Sequence, residues 1–102
     1  LARFVRKNRP DGILCSNDFT AMSVLRSFDT LGIRVPEDIS LASFDNLSHQ
    51  MLSPRFITSI EQPIEDISRS ALSLMMRLIA NPKMPPWQLI FPGVLVTGDS
   101  TI

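Results

Sequence analysis

Short apolar runs that end at Asn and Asp alternate with a helical pattern in the first half of the chain. The first run covers residues 12–16 and stops at Asn17 and Asp18, and the second covers residues 39–44 and stops at Asp45. Between them lies one apolar stripe at three- and four-residue spacing, formed by Ala21, Val24, Leu25, Phe28 and Leu31. The pattern predicts a strand–helix–strand unit whose strands are parallel and buried.

The polar residues that follow the two predicted strands form a candidate binding site. Parallel strands end at the same edge of a sheet, and ligands of open α/β sheets bind outside those carboxyl ends. The residues concerned are Asn17, Asp18, Asp45 and Asn46. Asn17 carries donors and an acceptor, which suits a hydroxyl-rich ligand, although a turn residue that bonds its own backbone is an alternative. Asp18 has a competing structural role as the cap of the next helix.

The second half of the chain predicts a third strand, one long helix and a short return. Residues 56–60 are β-branched and bounded by prolines, which favours a strand. The longest apolar stripe follows at helical spacing, at Ile64, Ile67, Ala71, Leu74, Met75, Leu78 and Ile79. Beyond a proline-rich connector, residues 87–91 and 94–97 are short strand candidates. The chain also begins without Met on a helical pattern over residues 1–8, which we interpret as the end of a cut helix.

Composition and charge argue against several classes of function. The 102 residues carry ten Lys or Arg and ten Asp or Glu, so no cationic surface favours phosphate binding, and no apolar run approaches a membrane span. The single cysteine, Cys15, cannot form an intramolecular disulfide, and His49 has no partner at metal-ligand spacing. We therefore expect no cofactor and no metal. The one metal alternative is a Mg²⁺ site between Asp18 and Asp45.

Several phrases of the sequence closely resemble the effector-binding core of LacI/GalR-type bacterial transcription repressors. They are residues 10–18 (PDGILCSND), 31–46 (LGIRVPEDISLASFDN), 52–54 (LSP) and 58–63 (TSIEQP), in the order of the family. The resemblance covers nearly the whole chain, which matches only the C-terminal third of such a repressor. Ser43 and Ser68 depart from the family, because glycine is usual at both positions.

The resemblance implies an α/β fold of the periplasmic-binding-protein-like kind, in which two lobes of mainly parallel sheet enclose a small effector. This chain then supplies part of one lobe and a helix of the second. Residues 1–62 belong to the C-terminal lobe, residues 63–92 to the N-terminal lobe, and residues 93–102 return to the C-terminal lobe.

The resemblance also assigns residues to sites. Asn17 and Asp45 match effector-binding positions, Gln62 lies at the hinge near the effector, and Phe19 and Phe44 shape the pocket. A homodimer interface matches one helix face and the loop over residues 48–52, and the residues assigned to it are Met22, Leu25, Arg26, Met51 and Leu52.

The function implied is that of a sensory module rather than an enzyme. A sugar or related metabolite binds, and the change passes to a DNA-binding helix-turn-helix upstream, in a cytoplasmic dimeric repressor. One alternative is a periplasmic sugar-binding protein of the same fold. Another is a Mg²⁺-dependent phosphoryl enzyme that uses Asp18 and Asp45.

Overall fold

The computed structural model of the protein describes residues 1–47, 53 and 55–102. Its elements are α1 (Ala2–Asn8), β1 (Gly12–Leu14), α2 (Asp18–Leu31), β2 (Ser40–Phe44), β3 (Thr58–Glu61), α3 (Ile64–Ala80) and β4 (Val94–Val96). They form two compact units, Leu1–Glu61 with Val94–Ile102, and Gln62–Gly93. The expected interface residues Met51 and Leu52, and His49, lie outside the described residues.

The first unit contains a four-stranded sheet in the order β1-β2-β3-β4. The first three strands are parallel, with Leu14 beside Ala42 and Ala42 beside Thr58. The last strand is antiparallel, and its first residue, Val94, pairs with Glu61 at the end of β3. The predicted α/β fold with a mainly parallel sheet is confirmed.

One face of the sheet is covered by α2. The helix buries Ala21, Leu25 and Phe28. Leu41 of β2 and Ile57, which directly precedes β3, are wholly buried in the same cluster. Full burial of a large aliphatic or aromatic side chain contributes roughly 1.5–3 kcal/mol, so this cluster is the main source of stability of the unit. Cys15 lies in the core as well, where burial raises the pKa of its thiol. The helix ends at Gly32, whose φ of 69° is the left-handed conformation that glycine adopts easily.

The second unit contains α3 as its only regular element. None of the residues of α3 is buried, and its apolar side chains Leu72 and Ile79 are 66% and 68% exposed. The strand predicted over residues 87–91 is absent, because a strand needs a hydrogen-bonded neighbour and Gln62–Gly93 contains no other strand. Arg77 lies 5.8 Å from the ring centre of Trp87, a cation–π contact.

The C-terminal tail is bonded to the sheet at the beginning of β2 and β3. The backbone N–H of Leu41 donates to the carbonyl of Ser100 at 2.7 Å, and the Ser100 hydroxyl donates to the carbonyl of Leu41 at 2.6 Å. The same hydroxyl accepts the N–H of Thr58 at 2.9 Å. Gly98 is required nearby, since a Cβ there would lie 2.0 Å from the carbonyl oxygen of Phe56.

We expect Ser100→Ala to lower the free energy of unfolding by about 1–3 kcal/mol, because it leaves buried backbone groups of two strands without a partner. Denaturant titration measures the loss. Ser68→Ala, on the exposed surface of α3, is the matched control and is expected to change stability by less than about 0.5 kcal/mol. Equal stabilities of the two variants would contradict the role given to Ser100.

Arg34 and Asp38 form an exposed ion pair in the turn before β2. The guanidinium donates to both carboxylate oxygens, through Nε at 2.9 Å and Nη2 at 2.6 Å, and the Arg34 backbone N–H adds a third bond at 2.9 Å. These hydrogen bonds lower the pKa of Asp38 from 3.8 to about 2.

We expect Arg34→Ala to raise the pKa of Asp38 toward 3.8. Because the folded-state pKa is lowered, the pair stabilises the fold above pH 3.8, and this contribution is lost as the pH falls toward 2. A carboxyl-carbon NMR titration measures the shift, with Arg3→Ala as the control that leaves it unchanged. A pKa that stays at about 2 in Arg34→Ala would refute the assignment.

Candidate functional site

The carboxyl ends of β1, β2 and β3 lie at one edge of the sheet, as their parallel register requires. The chain leaves this edge at Glu61 and returns to it at Val94, which pairs with Glu61. Asn17, Asp18, Asp45 and Asn46 all follow strands at this edge, so the sequence prediction of a shared polar edge agrees with the topology.

Asn17, and not Asp18, caps α2. The Asn17 side chain accepts the backbone N–H of Thr20 at 2.9 Å, and its extended backbone, with φ of −163°, is typical of an N-cap residue. The expectation that Asp18 caps the helix was therefore wrong: Asp18 is the first residue of the helix itself, and its carboxylate serves another purpose. Asn17 remains partly exposed at the edge.

Asp18 is fully buried and receives hydrogen bonds from two strands and one loop. Ser43 of β2 and Ser59 of β3 both donate their hydroxyls to Oδ1, Ser59 at 3.2 Å. The backbone N–H of Leu47 donates to Oδ2 at 2.5 Å. All three of these partners are donors, and hydrogen bonds of this kind are what a buried carboxyl group requires.

The backbone after β2 turns through two residues with positive φ. Asp45 has φ of 97° and Asn46 of 52°, and Asp and Asn tolerate this region better than most residues. The N–H of Asp45 donates to the carbonyl of Ile60 at 2.9 Å, and the N–H of Asn46 donates to the Ser59 hydroxyl at 3.0 Å. The turn leaves the Asp45 side chain partly exposed.

Asn46 is buried, unlike its neighbour Asp45. Its side-chain amide donates to the Glu61 carboxylate at 2.8 Å, which links the end of β2 to the end of β3. Its carbonyl oxygen has no hydrogen-bond partner among the described residues. Asn46 is therefore held within the edge by its hydrogen bonds, whereas Asp45 is partly exposed there.

The other expected ligand-binding residues are divided between the two units. Phe19, the second residue of α2, is 63% exposed at the polar edge, and Phe44 is half-buried as the last residue of β2. Gln62 is exposed and belongs to the second unit, where its carbonyl accepts the N–H of Ile64. The structure brings Asn17, Phe19, Phe44 and Asp45 to one end of the first unit.

The interface predicted on α2 contains both buried and exposed residues, and it stays a prediction. Met22 and Leu25 are 9% and 3% exposed and belong to the core cluster of the chain itself. A partner subunit has little access to them. Arg26 is exposed and stays a predicted interface residue.

Sequence reasoning missed Ser59 and noticed Ser43 only as a departure from glycine. These two serines are register partners on β2 and β3, and both are 1% exposed. Their signal in the sequence is a polar residue at a buried position of an apolar strand, which becomes informative once the register places the two side by side.

Asp18, one half of the Mg²⁺ pair considered as an alternative from the sequence, accepts hydrogen bonds from Ser43, Ser59 and Leu47. Within residues 1–47, 53 and 55–102, no group of three His, Cys, Asp or Glu residues is placed to hold a metal ion. In the same part of the chain, no helix has the length and apolar character of a membrane span.

Known proteins with related sequences identify the family of this chain. The model of the periplasmic binding protein-like domain matches residues 1–101. The chain belongs to this family. The HTH-type transcriptional repressor PurR of Pectobacterium atrosepticum is 37% identical over 76 residues, which are 74% of this chain and 22% of that repressor. The periplasmic-binding-protein-like chain thus spans less than a quarter of the length of this relative.

Two solved structures extend the likeness to LacI-type regulators. One is a LacI-type transcription regulator from Bifidobacterium animalis subsp. lactis, with TM-score 0.83 and 28% identity, covering 99% of this chain and 36% of that one. Another is a LacI family regulator from Arthrobacter sp. FB24 in complex with lactose, with TM-score 0.80 and 28% identity, covering 99% of this chain and 39% of that one. The resemblance to LacI/GalR-type regulators read from the sequence is confirmed.

We expect Asn17→Ala to lower the free energy of unfolding by about 0.5–2 kcal/mol, because the N–H of Thr20 loses its cap. Asn17→Ser keeps a capping oxygen and is the matched control, expected to stay within about 0.5 kcal/mol of wild type. Thermal or denaturant unfolding of both variants makes the comparison. Equal losses in the two would show that the cap is not what Asn17 contributes to stability.

Proposed function

We propose that this chain is the C-terminal part of the effector-binding core of a LacI/GalR-type transcription regulator, and that its polar edge forms one wall of the effector site. The observation that carries the proposal is the joint placement of Asn17 and Asp45 at one edge. Both are partly exposed, and the buried carboxylate of Asp18 links the segments that bear them.

The chemistry of this wall suits a polyhydroxylated or amide-bearing small molecule. The Asp45 carboxylate accepts hydrogen bonds, and the Asn17 amide donates them while its oxygen is occupied by the cap. Phe19 and Phe44 add aromatic surface, as in most small-molecule pockets, which combine apolar walls with a few placed polar groups. A sugar fits this combination, and the Arthrobacter relative binds lactose.

In this proposal the chain supplies parts of both lobes, and the remaining parts of the regulator lie outside it. Residues 1–62 and 93–102 belong to the C-terminal lobe. Residues 63–92, which include α3, belong to the N-terminal lobe. The exposed apolar side chains of α3 pack against the remainder of that lobe. DNA is bound by an upstream helix-turn-helix, and the full protein is a cytoplasmic homodimer whose interface includes Arg26, Met51 and Leu52.

Effector binding is tested on the full-length regulator by thermal shift against a panel of sugars, lactose included, and nucleobases. For a compound that raises the melting temperature, calorimetry then measures Kd in Asn17→Ser and Asp45→Asn. We expect each variant to bind about 10- to 100-fold more weakly, since each loses one hydrogen bond to a charged or amide group. Lys83→Ala, exposed in the second unit, is the control that keeps wild-type Kd. Undiminished binding in both variants would refute the assignment.

Coupling to DNA is tested by gel shift. The full-length regulator is expected to bind its own promoter region, and the panel compound is expected to change that affinity. Residues 1–102 alone are expected not to bind, because their ten basic and ten acidic residues give no net attraction to phosphate. Specific binding of operator DNA by residues 1–102 would contradict the division of roles.

A further inference from the structure

The segment that follows β2 is held by hydrogen bonds to the neighbouring strand β3 and to the carboxylate of Asp18. Three consecutive backbone N–H groups, those of Asp45, Asn46 and Leu47, each have a separate acceptor. These acceptors are the Ile60 carbonyl, the Ser59 hydroxyl and the Asp18 carboxylate, at 2.9, 3.0 and 2.5 Å. Two of the three acceptors are therefore side chains that a substitution can remove.

Asp18 connects these acceptors to one another. Its Oδ1 accepts the hydroxyl protons of Ser43 and Ser59, and its Oδ2 accepts the N–H of Leu47. Ser59 donates to Asp18 and in turn accepts from Asn46, so the N–H groups of residues 46 and 47 both depend on this carboxylate. Ser43 lies two residues before Asp45 and Leu47 two residues after it, so the bonds to Asp18 bracket Asp45.

The same residue fixes the beginning of α2. Asp18 directly follows Asn17, whose side chain caps the helix, and Asp18 itself is 0% exposed. Because its carboxylate is bonded to β2, β3 and the loop, the backbone on its N-terminal side has little freedom to move. One buried carboxylate thus sets the relative placement of the two segments that carry Asn17 and Asp45.

We propose that Asp18 is a positioning residue of the effector site: it touches no effector, and it sets the effector affinity of the regulator through the placement of Asp45 and Asn17. The effector in this proposal rests on the proposed function. The hydrogen bonds that place the segment after β2 can be measured without any ligand. Ser43 and Ser59 act with Asp18 as the donors that hold its carboxyl group in place.

The first measurement is hydrogen exchange of the full-length, ligand-free regulator at the amides of Asn46 and Leu47. In Asp18→Asn, one acceptor oxygen becomes an NH₂ donor that faces other donors, so we expect both amides to exchange about tenfold faster or more. Ile57→Val, which removes one buried methylene in the same unit, is the control for a general loss of stability and is expected to leave these two amides no faster than the rest of the sheet. Unchanged exchange in Asp18→Asn would overturn the proposal.

The second measurement separates positioning from stability. With the panel compound that binds the wild type, we expect Asp18→Asn to weaken binding by about tenfold or more and Ile57→Val to leave it unchanged. Faster exchange with unaltered affinity would overturn the positioning role and leave the proposed function intact. If no panel compound binds the wild type, the proposed function fails, and the exchange rates alone decide whether Asp18 holds the segment.

A second variant covers the case in which Asp18→Asn does not fold. Ser59→Ala removes the acceptor of the Asn46 N–H and leaves the carboxylate in place. We expect faster exchange at Asn46 and weaker binding in this variant too, with a smaller effect at Leu47, whose bond to Asp18 remains. Equal effects at the two amides would contradict the separate bonds assigned here.

Discussion

A parallel sheet brings the ends of its strands to one edge, and the backbone that continues past a strand end must find hydrogen bonds outside the regular ladder. Beyond Phe44 this demand falls on three N–H groups at a turn with positive φ. The chain meets it with one carbonyl, one hydroxyl and one carboxylate. A buried group left without a partner costs about 1–3 kcal/mol, so the arrangement of the polar edge follows from satisfying its own backbone.

The sequence predicts the fold correctly where regular apolar spacing or a helix-ending residue decides the local structure. The stripe of α2 and its end at Gly32 follow from spacing and from the left-handed cap that glycine favours. The cap of α2 was not decided in the same way, because Asn17 and Asp18 are both good capping residues. The choice between them is tertiary: Asp18 is drawn inward by Ser43 and Ser59, and neither is close to it along the chain.

The sequence singled out some residues of the candidate site and missed others. Asn17, Asp18 and Asp45 stand out because polar residues at strand ends interrupt a pattern of apolar runs. Ser59 carries no such mark, since a serine inside a short strand gives no indication of which face it occupies. The tail is similar: Ser100 bonds Leu41 and Thr58 across a separation in sequence that no local pattern spans.

Amphipathic patterns also leave open what covers an apolar face. The stripe of α2 covers its own sheet, which is why Ala21, Leu25 and Phe28 are buried. The stripe of α3 is as regular, and yet no residue of that helix is buried. Periodicity fixes the helix in both cases, whereas the partner is set by neighbours that the pattern does not name.

The two units therefore contribute differently to the proposed regulator. The first has a core of its own, and its polar edge is held by hydrogen bonds within the unit. A side chain whose backbone is already fixed loses less conformational entropy on binding, so less of the binding free energy is lost to ordering the site. In a sensor, binding free energy shifts the equilibrium between two arrangements of the whole protein, which requires that the ligand bind the two arrangements with different affinities. A rigid wall suits this task, because the difference in affinity then arises from groups outside the wall that move.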